Sequence, residues 1–365
     1  MAVTLETRRL ALVGYGVVGR AFTALLERVA DELARRYRLA VPVTAVATRR
    51  AGLLVDVEGI DRVRLAAIGG HGSPEAVSPA PAARSGTPPV AAPGLAAFLA
   101  DPAAPYDVLV EITTQSPRDG EPAASYIRAA LGSGRDVVTA NKGPLAWHEA
   151  ELRALAAVSG ARLRYEAALM DCLPTHAIRE SIVPVGRILS FAGIVNATTN
   201  AMLSAMAQRR SAAEALAEAQ AAGLAEADPR HDTEGHDAAL KATILANLLL
   251  EPQVPLTPAA VARRGLDAVS DEWPAEAAQR GARVRLLARG EVCGEGAERT
   301  VRAWVGPEEL PLDDTLALVG GRSMALRIHS EYGGRLQLTL LDAPVEETAY
   351  AILMDLVALA RDRPR

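Results

Sequence analysis

Hydrophobic and polar positions in the first half of the chain switch repeatedly between short apolar runs and longer stretches of helical period. Arg9–Val13 predicts a short buried strand, and the stretch that follows predicts a helix to about Tyr37. Val41–Thr48, Asp107–Thr113, Asp136–Asn141 and Arg162–Ala167 predict further strands. Helical stretches separate them around Pro122–Leu131 and Leu145–Val158. Strands alternating with helices predict an α/β domain, a parallel sheet with crossover helices. Residues 71 to 94 are rich in Pro, Ala, Gly and Ser and keep neither period, so they predict an exposed loop within this first domain.

After residue 170 the pattern changes. Arg187–Val195 predicts a strand, Ser211–Ala222 an Ala-rich helix, and Asp237–Leu250 a helix whose apolar second half is buried. Arg299–Val305 and Arg335–Leu341 predict strands, and Glu346–Arg361 a closing helix that packs back on the first domain. No internal repeat is visible. The expected organisation is a first domain over residues 1–162 and 343–365, with an α+β substrate domain over 163–342.

Composition narrows the class. A chain of 365 residues suggests about two domains of roughly 150 residues each. No apolar run approaches the roughly 20 residues of a membrane span, and no basic start with an apolar stretch and cleavage site predicts secretion. Cys172 and Cys293 have neither disulfide-framework numbers nor metal-type spacing, so a reducing cytoplasm is expected. A net charge of −5 gives no general reason to expect a nucleic-acid partner. One bias is sharper: of 39 basic residues only Lys142 and Lys241 are lysine. Arginine keeps its proton, whereas a lysine ammonium is compact and can be tuned to exchange one.

Gly14-Tyr15-Gly16-Val17-Val18-Gly19 lies in the first strand-to-helix turn. Gly14 permits the tight turn, Gly16 lets backbone approach a phosphate, and Gly19 permits close helix–strand packing. The helix N-terminus adds free N–H groups and a positive dipole end. The pattern predicts a Rossmann-type doubly wound sheet binding a dinucleotide. At the end of the second strand an acidic residue would bind a ribose hydroxyl; here stand Thr48, Arg49 and Arg50. The arginines suit a 2′-phosphate, with Arg20 assisting, and favour NADP over NAD. Their alternative is a solvated basic turn in an Arg-rich chain. The expected cofactor-binding set is Gly14, Gly16, Val17, Val18, Gly19, Arg20, Thr48, Arg49, Arg50, Thr113 and Lys142.

Both lysines fall in motifs. Thr139-Ala140-Asn141-Lys142-Gly143-Pro144 ends a predicted strand, where an open parallel sheet faces its ligand. Asp237 and Lys241 are four apart on one helix face, within a segment that also holds Glu226, Asp228 and Asp232. The bland alternative is an exposed Asp–Lys pair. A metal site on His231 or His236 is another, although neither spacing matches a standard ligand pair. Several carboxylates beside one lysine suit a zwitterionic amino-acid substrate better.

The run from Ala219 through Gly223, Asp228-Pro229, Asp232, Gly235 and Asp237 to Lys241 resembles the signature of homoserine dehydrogenases. Similar blocks follow family order at Gly14–Gly19, Thr139–Pro144, Tyr165–Pro174, Gly193–Asn200 and Glu347–Leu356. The resemblance is to the short form, without an aspartate kinase or ACT domain. It implies an NAD(P)-dependent oxidoreductase of threonine and methionine biosynthesis, which interconverts aspartate 4-semialdehyde and L-homoserine as a homodimer. By residue, it implies Lys241 as principal acid/base, Lys142 as second active-site lysine, and both converging beside the nicotinamide. Glu226 and Asp237 would bind the substrate amino group, Asp232 would support the lysine, and Thr198 would lie beside substrate. Glu166, Leu169, Asp171 and Leu173 would hold a monovalent cation, largely through backbone oxygens.

Two stretches depart from the family. Leu169–Pro174 and Leu341–Val345 are bulkier than the glycine-rich segments expected there. They leave open a related reductase acting on another amino or hydroxy aldehyde. A non-catalytic NAD(P)-binding sensor is the rival of another class, and retention of both lysines with their carboxylates argues against it.

Overall fold

The structure is a computed structural model that describes residues 5–69, 92–116, 118–342 and 347–361. The chain divides into two compact units, Met1–Cys172 with Glu346–Arg365, and Leu173–Val345. Residues 71–91 of the Pro/Ala-rich stretch and 343–345 of the Leu341–Val345 segment lie outside the described residues. Residues 92–94, expected in a loop, instead open the helix Ala92–Ala100.

The first unit is built on strands β1 (Leu10–Val13), β2 (Val43–Thr48), β3 (Gly52–Val55), β4 (Val108–Glu111), β5 (Asp136–Thr139) and β6 (Leu163–Arg164). Their order across the sheet is β3-β2-β1-β4-β5-β6. All neighbours are parallel except β3, which returns antiparallel to β2 through the turn at Arg49 and Arg50. This is the doubly wound dinucleotide-binding order. Side chains alternate across the pleat: Leu10, Leu12, Val108 and Val110 enter one core, while Ala11, Val13 and Leu109 enter the other. Apolar layers on both faces are what crossover helices require.

Helices α1 (Val17–Glu32), α2 (Ala123–Gly132) and α3 (Lys142–Ser159) supply those crossovers. The closing helix Glu347–Arg361 returns to this unit, where Ile352, Leu356 and Leu359 pack with Phe22 and Leu26 of α1. Each such burial stabilises by about 1.5–3 kcal/mol. The strand expected over Arg162–Ala167 is only β6; Glu166–Leu169 forms a short helix, α4. Because β6 pairs with β5, the first unit runs past residue 162 as far as Cys172.

The second unit holds the sheet β8-β10-β9-β7-β11-β12. Its strands are β7 (Ile188–Ile194), β8 (Ala262–Arg263), β9 (Ala282–Cys293), β10 (Thr300–Pro311), β11 (Met324–Ser330) and β12 (Gly334–Leu340). Strands β9 and β11 have no counterpart among the predicted elements. In β9, Arg283 and Arg285 alternate with Ala282, Val284 and Leu286 only briefly, and a cross-strand pair adds to the strand pairing, with Arg289 Nε 2.7 Å from Glu308 on β10. The same pairing carries β10 beyond Val305 to Pro311. Helices α5 (Ala197–Met206), α6 (Ala212–Ala221), α7 (Arg230–Thr233), α8 (His236–Leu245) and α9 (Trp273–Gln279) complete the unit. From Asp237 to Leu245 every residue of α8 is buried. Among the described residues, no helix is long and apolar enough to cross a membrane.

Candidate active site

In the first unit the ends of β1, β2, β4 and β5 are in register: Val13 stands opposite Ala47 and Glu111, and Glu111 opposite Thr139. The residues that follow therefore leave one edge of the sheet together. Gly14 has φ +95°, and a Cβ there would lie 2.5 Å from the Ile112 carbonyl oxygen. Only glycine fits. Gly16 is different. It has φ −90°, and a Cβ would meet nothing within 4 Å among the described residues.

The chain itself thus does not demand glycine at position 16; an external group approaching the backbone would. No side chain caps α1, so its first N–H groups remain available. Val17 beside them leaves an apolar side chain 74% exposed, while Val18 is half-buried and Gly19 buried. These features fit a dinucleotide pyrophosphate on the helix N-terminus. Arg20, Arg49 and Arg50 are exposed, and the Thr48 hydroxyl accepts from Ala51 N at 2.9 Å to close the β2–β3 turn.

Thr113 belongs to a polar network at the same edge, and Lys142 directly follows another of its members, Asn141. The Glu111 carboxylate, 0% exposed, accepts from Thr113 N at 2.9 Å, from the Thr113 hydroxyl, and from Thr139 Oγ1 at 2.8 Å. Burial pushes the Glu111 carboxyl up from its ordinary value, against the lowering effect of these donors. Asn141 donates to Thr113 Oγ1 at 3.3 Å and accepts from Gly143 N at 3.1 Å, capping α3. Lys142, half-buried, is the first residue of that helix. A cation at a helix N-terminus opposes the dipole, so helix stability does not explain the lysine.

In the second unit, β7 ends at Ile194 and delivers Val195 and Asn196 to the start of α5. The Lys241 ammonium donates to the Val195 carbonyl at 2.7 Å and lies 3.3 Å from Asp237 Oδ2. Asn196 Nδ2 donates to Asp232 Oδ1 at 2.9 Å and to Asp237 Oδ2 at 3.0 Å. Burial, and then the neighbouring Asp237, push the Asp232 carboxyl up, while Asn196 and Lys241 pull it down. Asp232 therefore relates to the lysine by charge and through Asn196. Thr198 is buried, its hydroxyl donating to the Leu224 carbonyl at 2.8 Å. Glu226 stands apart from this network: its carboxylate is exposed, and its backbone oxygen accepts from Gln220.

His231 joins the carboxylates despite its unpromising sequence spacing. Gly235, at φ +77°, turns the chain between α7 and α8 and brings donor atoms of His231, Asp232 and Asp237 within 4.8 Å of one another. The His231 ring stacks on His236 at 6.0 Å between centroids, and its Nε2 is buried without a hydrogen-bond partner. Of the residues expected to hold a cation, Glu166, Leu169 and Leu173 are buried, while Asp171 takes φ +50°. Asp tolerates that left-handed conformation better than most residues. Thr348 Oγ1 donates to its carboxylate at 3.1 Å.

A nucleotide-type glycine turn and a buried lysine–carboxylate cluster are the parts of a pyridine-nucleotide oxidoreductase. The family models agree: Homoserine dehydrogenase, NAD binding domain, matches residues 14–166, and Homoserine dehydrogenase matches 174–357. The chain belongs to the homoserine dehydrogenase family. The NAD(+)-dependent homoserine dehydrogenase of Pseudomonas canavaninivorans is 34% identical over 98% of this chain and 97% of its own length. The homoserine dehydrogenase of Sulfurisphaera tokodaii is 30% identical, covering 97% of this chain and 99% of that protein.

Among solved structures, a homoserine dehydrogenase from Thiobacillus denitrificans superposes with a TM-score of 0.77 at 27% identity. That match covers 98% of this chain and 74% of the other. Within a homoserine dehydrogenase, the Lys241 cluster and the Gly14–Gly19 turn fall in the two matched regions. Sequence reading missed Val195 and Asn196 as site residues. The available signal was a capping residue, Asn, placed directly before Ala-Thr-Thr inside a family block.

Proposed function

We propose that this homoserine dehydrogenase family member interconverts aspartate 4-semialdehyde and L-homoserine, with Lys241 as acid/base and Lys142 as second active-site lysine. The observation that carries the reading is the Lys241 ammonium held between the Val195 carbonyl and Asp237. NADP or NAD, when bound, delivers or takes the hydride. In the reducing direction Lys241 donates its proton to the aldehyde oxygen as alkoxide charge develops. In the oxidising direction the same nitrogen accepts the hydroxyl proton.

Glu226 and Asp237 bind the substrate ammonium, Asp232 supports the lysine, and Thr198 lies beside the substrate. Gly14, Gly16, Val17, Val18 and Gly19 form the phosphate turn, with Thr113 at the same sheet edge. Exposed Arg49 and Arg50, assisted by Arg20, favour NADP, since a guanidinium pairs well with a 2′-phosphate. The family resemblance supports a homodimer. It also supports a monovalent cation on backbone oxygens of Glu166, Leu169, Asp171 and Leu173, hard donors of the type such ions take.

The test is reduced-nicotinamide absorbance with purified protein, L-homoserine and either NADP or NAD. Reduction of the nucleotide, faster with NADP, is expected. Tight nucleotide binding with no turnover would favour a sensor. Turnover with another hydroxy amino acid alone would favour a related reductase.

A further inference from the structure

The acid/base lysine and both carboxylates are held by consecutive residues of one turn. Val195 gives its carbonyl to the Lys241 ammonium at 2.7 Å. Asn196, next in the chain, gives its amide to Asp232 at 2.9 Å and Asp237 at 3.0 Å. Its other end is also fixed: Oδ1 accepts from Thr199 N at 2.9 Å and from Thr199 Oγ1 at 3.1 Å, which caps α5. The amide therefore has one orientation, with its oxygen towards the helix and its N–H donors on two different carboxylates. Asn196 is only 8% exposed.

Two neighbouring carboxylates repel, and α7 and α8 join through a turn at Gly235, which takes φ +77°. A neutral amide that donates to both opposes that repulsion without titrating. Aspartate at this position would cap the helix but offer no donor, and serine would cap it with one shorter donor.

We infer that Asn196 is a positioning residue that holds Asp232 and Asp237 together and thereby aims Lys241 at the reacting oxygen. The role rests on the acid/base reading of Lys241. Loss of the amide frees the Asp237 carboxylate to rotate, and the lysine loses its fixed partner while keeping its stem in a buried helix. The charged and polar groups facing Asp232 are Asp237, Lys241, Asn196, Thr198 and His231. Removing the amide donor pushes the Asp232 carboxyl further up and moves the acid limb of kcat/KM to higher pH.

The chain holds only two lysines, so reductive methylation followed by peptide mass spectrometry reads Lys241 directly, with Lys142 in the other unit as internal standard. Asn196→Ser and Asn196→Asp both retain a capping oxygen and are compared with wild type. The expected result is a several-fold rise in the Lys241 to Lys142 labelling ratio and a kcat with L-homoserine lowered about ten-fold or more. The nucleotide KM stays near wild type in both variants and the acid limb shifts upward; the melting temperature stays near wild type in Asn196→Ser and falls in Asn196→Asp, which sets a third carboxylate beside Asp232 and Asp237. An unchanged labelling ratio in both variants overturns the inference, as does a large fall in the melting temperature of Asn196→Ser that assigns Asn196 to stability alone. Failure of wild type to oxidise homoserine would defeat the proposed function, while the labelling ratio would still decide the role of Asn196.

Discussion

Lys241 and Asp237 stand one turn apart on a helix buried from Asp237 to Leu245, and their charged ends meet at 3.3 Å. Buried charges need partners, and here the lysine also reaches the Val195 carbonyl. Arginine at position 241 would keep the charge but carry a broad plane that does not release its proton. Lys241→Arg is expected to lower kcat by roughly 10²–10⁴-fold while nucleotide affinity is unchanged. Steady-state rates equal to wild type would reject the acid/base role.

Gly14 and Gly16 separate the needs of the fold from those of the ligand. Gly14→Ala forces a Cβ to 2.5 Å from the Ile112 oxygen at a φ of +95°, so both melting temperature and nucleotide binding should fall. Gly16→Ala meets nothing within 4 Å and should fold normally, yet bind dinucleotide at least about ten-fold more weakly because its methyl occupies the phosphate approach. Thermal melts and nucleotide titrations check the pair. Undiminished affinity in Gly16→Ala would remove the pyrophosphate from this turn.

The exposed Arg49–Arg50 turn bears on the choice of cofactor. Replacing both with alanine should cut kcat/KM for NADP by about ten-fold to a hundred-fold and leave NAD nearly unaffected, since charge-assisted bonds to phosphate contribute about 1.5–3 kcal/mol. Parallel losses with both nucleotides would show that the arginines do not read the 2′-phosphate.

Glu111 predicts a pH dependence of stability. Its folded carboxyl lies above the ordinary range because it is buried. Below the unfolded pKa both states are protonated and no penalty exists. As pH rises from there to the folded pKa, the unfolded chain loses its proton first, and stability falls. Glu111→Gln has no such loss. The melting temperature of the variant relative to wild type should therefore rise with pH across that window and then level off. A difference that stays flat, or shrinks as pH rises, would contradict the buried, proton-holding carboxyl.

Much of the first unit was legible because parallel strands buried on both faces and amphipathic helices are local patterns. Leu10–Val13, the glycine turn and α1 follow directly from neighbouring residues. The second unit was less legible. Strand β9 alternates Ala282, Val284 and Leu286 with Arg283 and Arg285 only briefly before Leu287 and Ala288 break the period, and its Arg289 finds its partner Glu308 on β10. Glu166–Leu169 is apolar enough for a strand, yet it turns helical where Asp355 of the closing helix accepts from Glu166 N at 2.9 Å.

By itself the sequence determined the nucleotide turn, the two lysines worth watching and the Asp237–Lys241 face. Each depends on residue type and on spacings shorter than about one or two helical turns. Only the tertiary structure decided that Val195 and Asn196 hold the lysine and both carboxylates, and that His231 joins them. Val195 and Asn196 are separated from the lysine and carboxylates they hold by 36 to 46 positions along the chain. Hydrogen bonds over such distances depend on how a strand end and two helices pack, which no local pattern encodes.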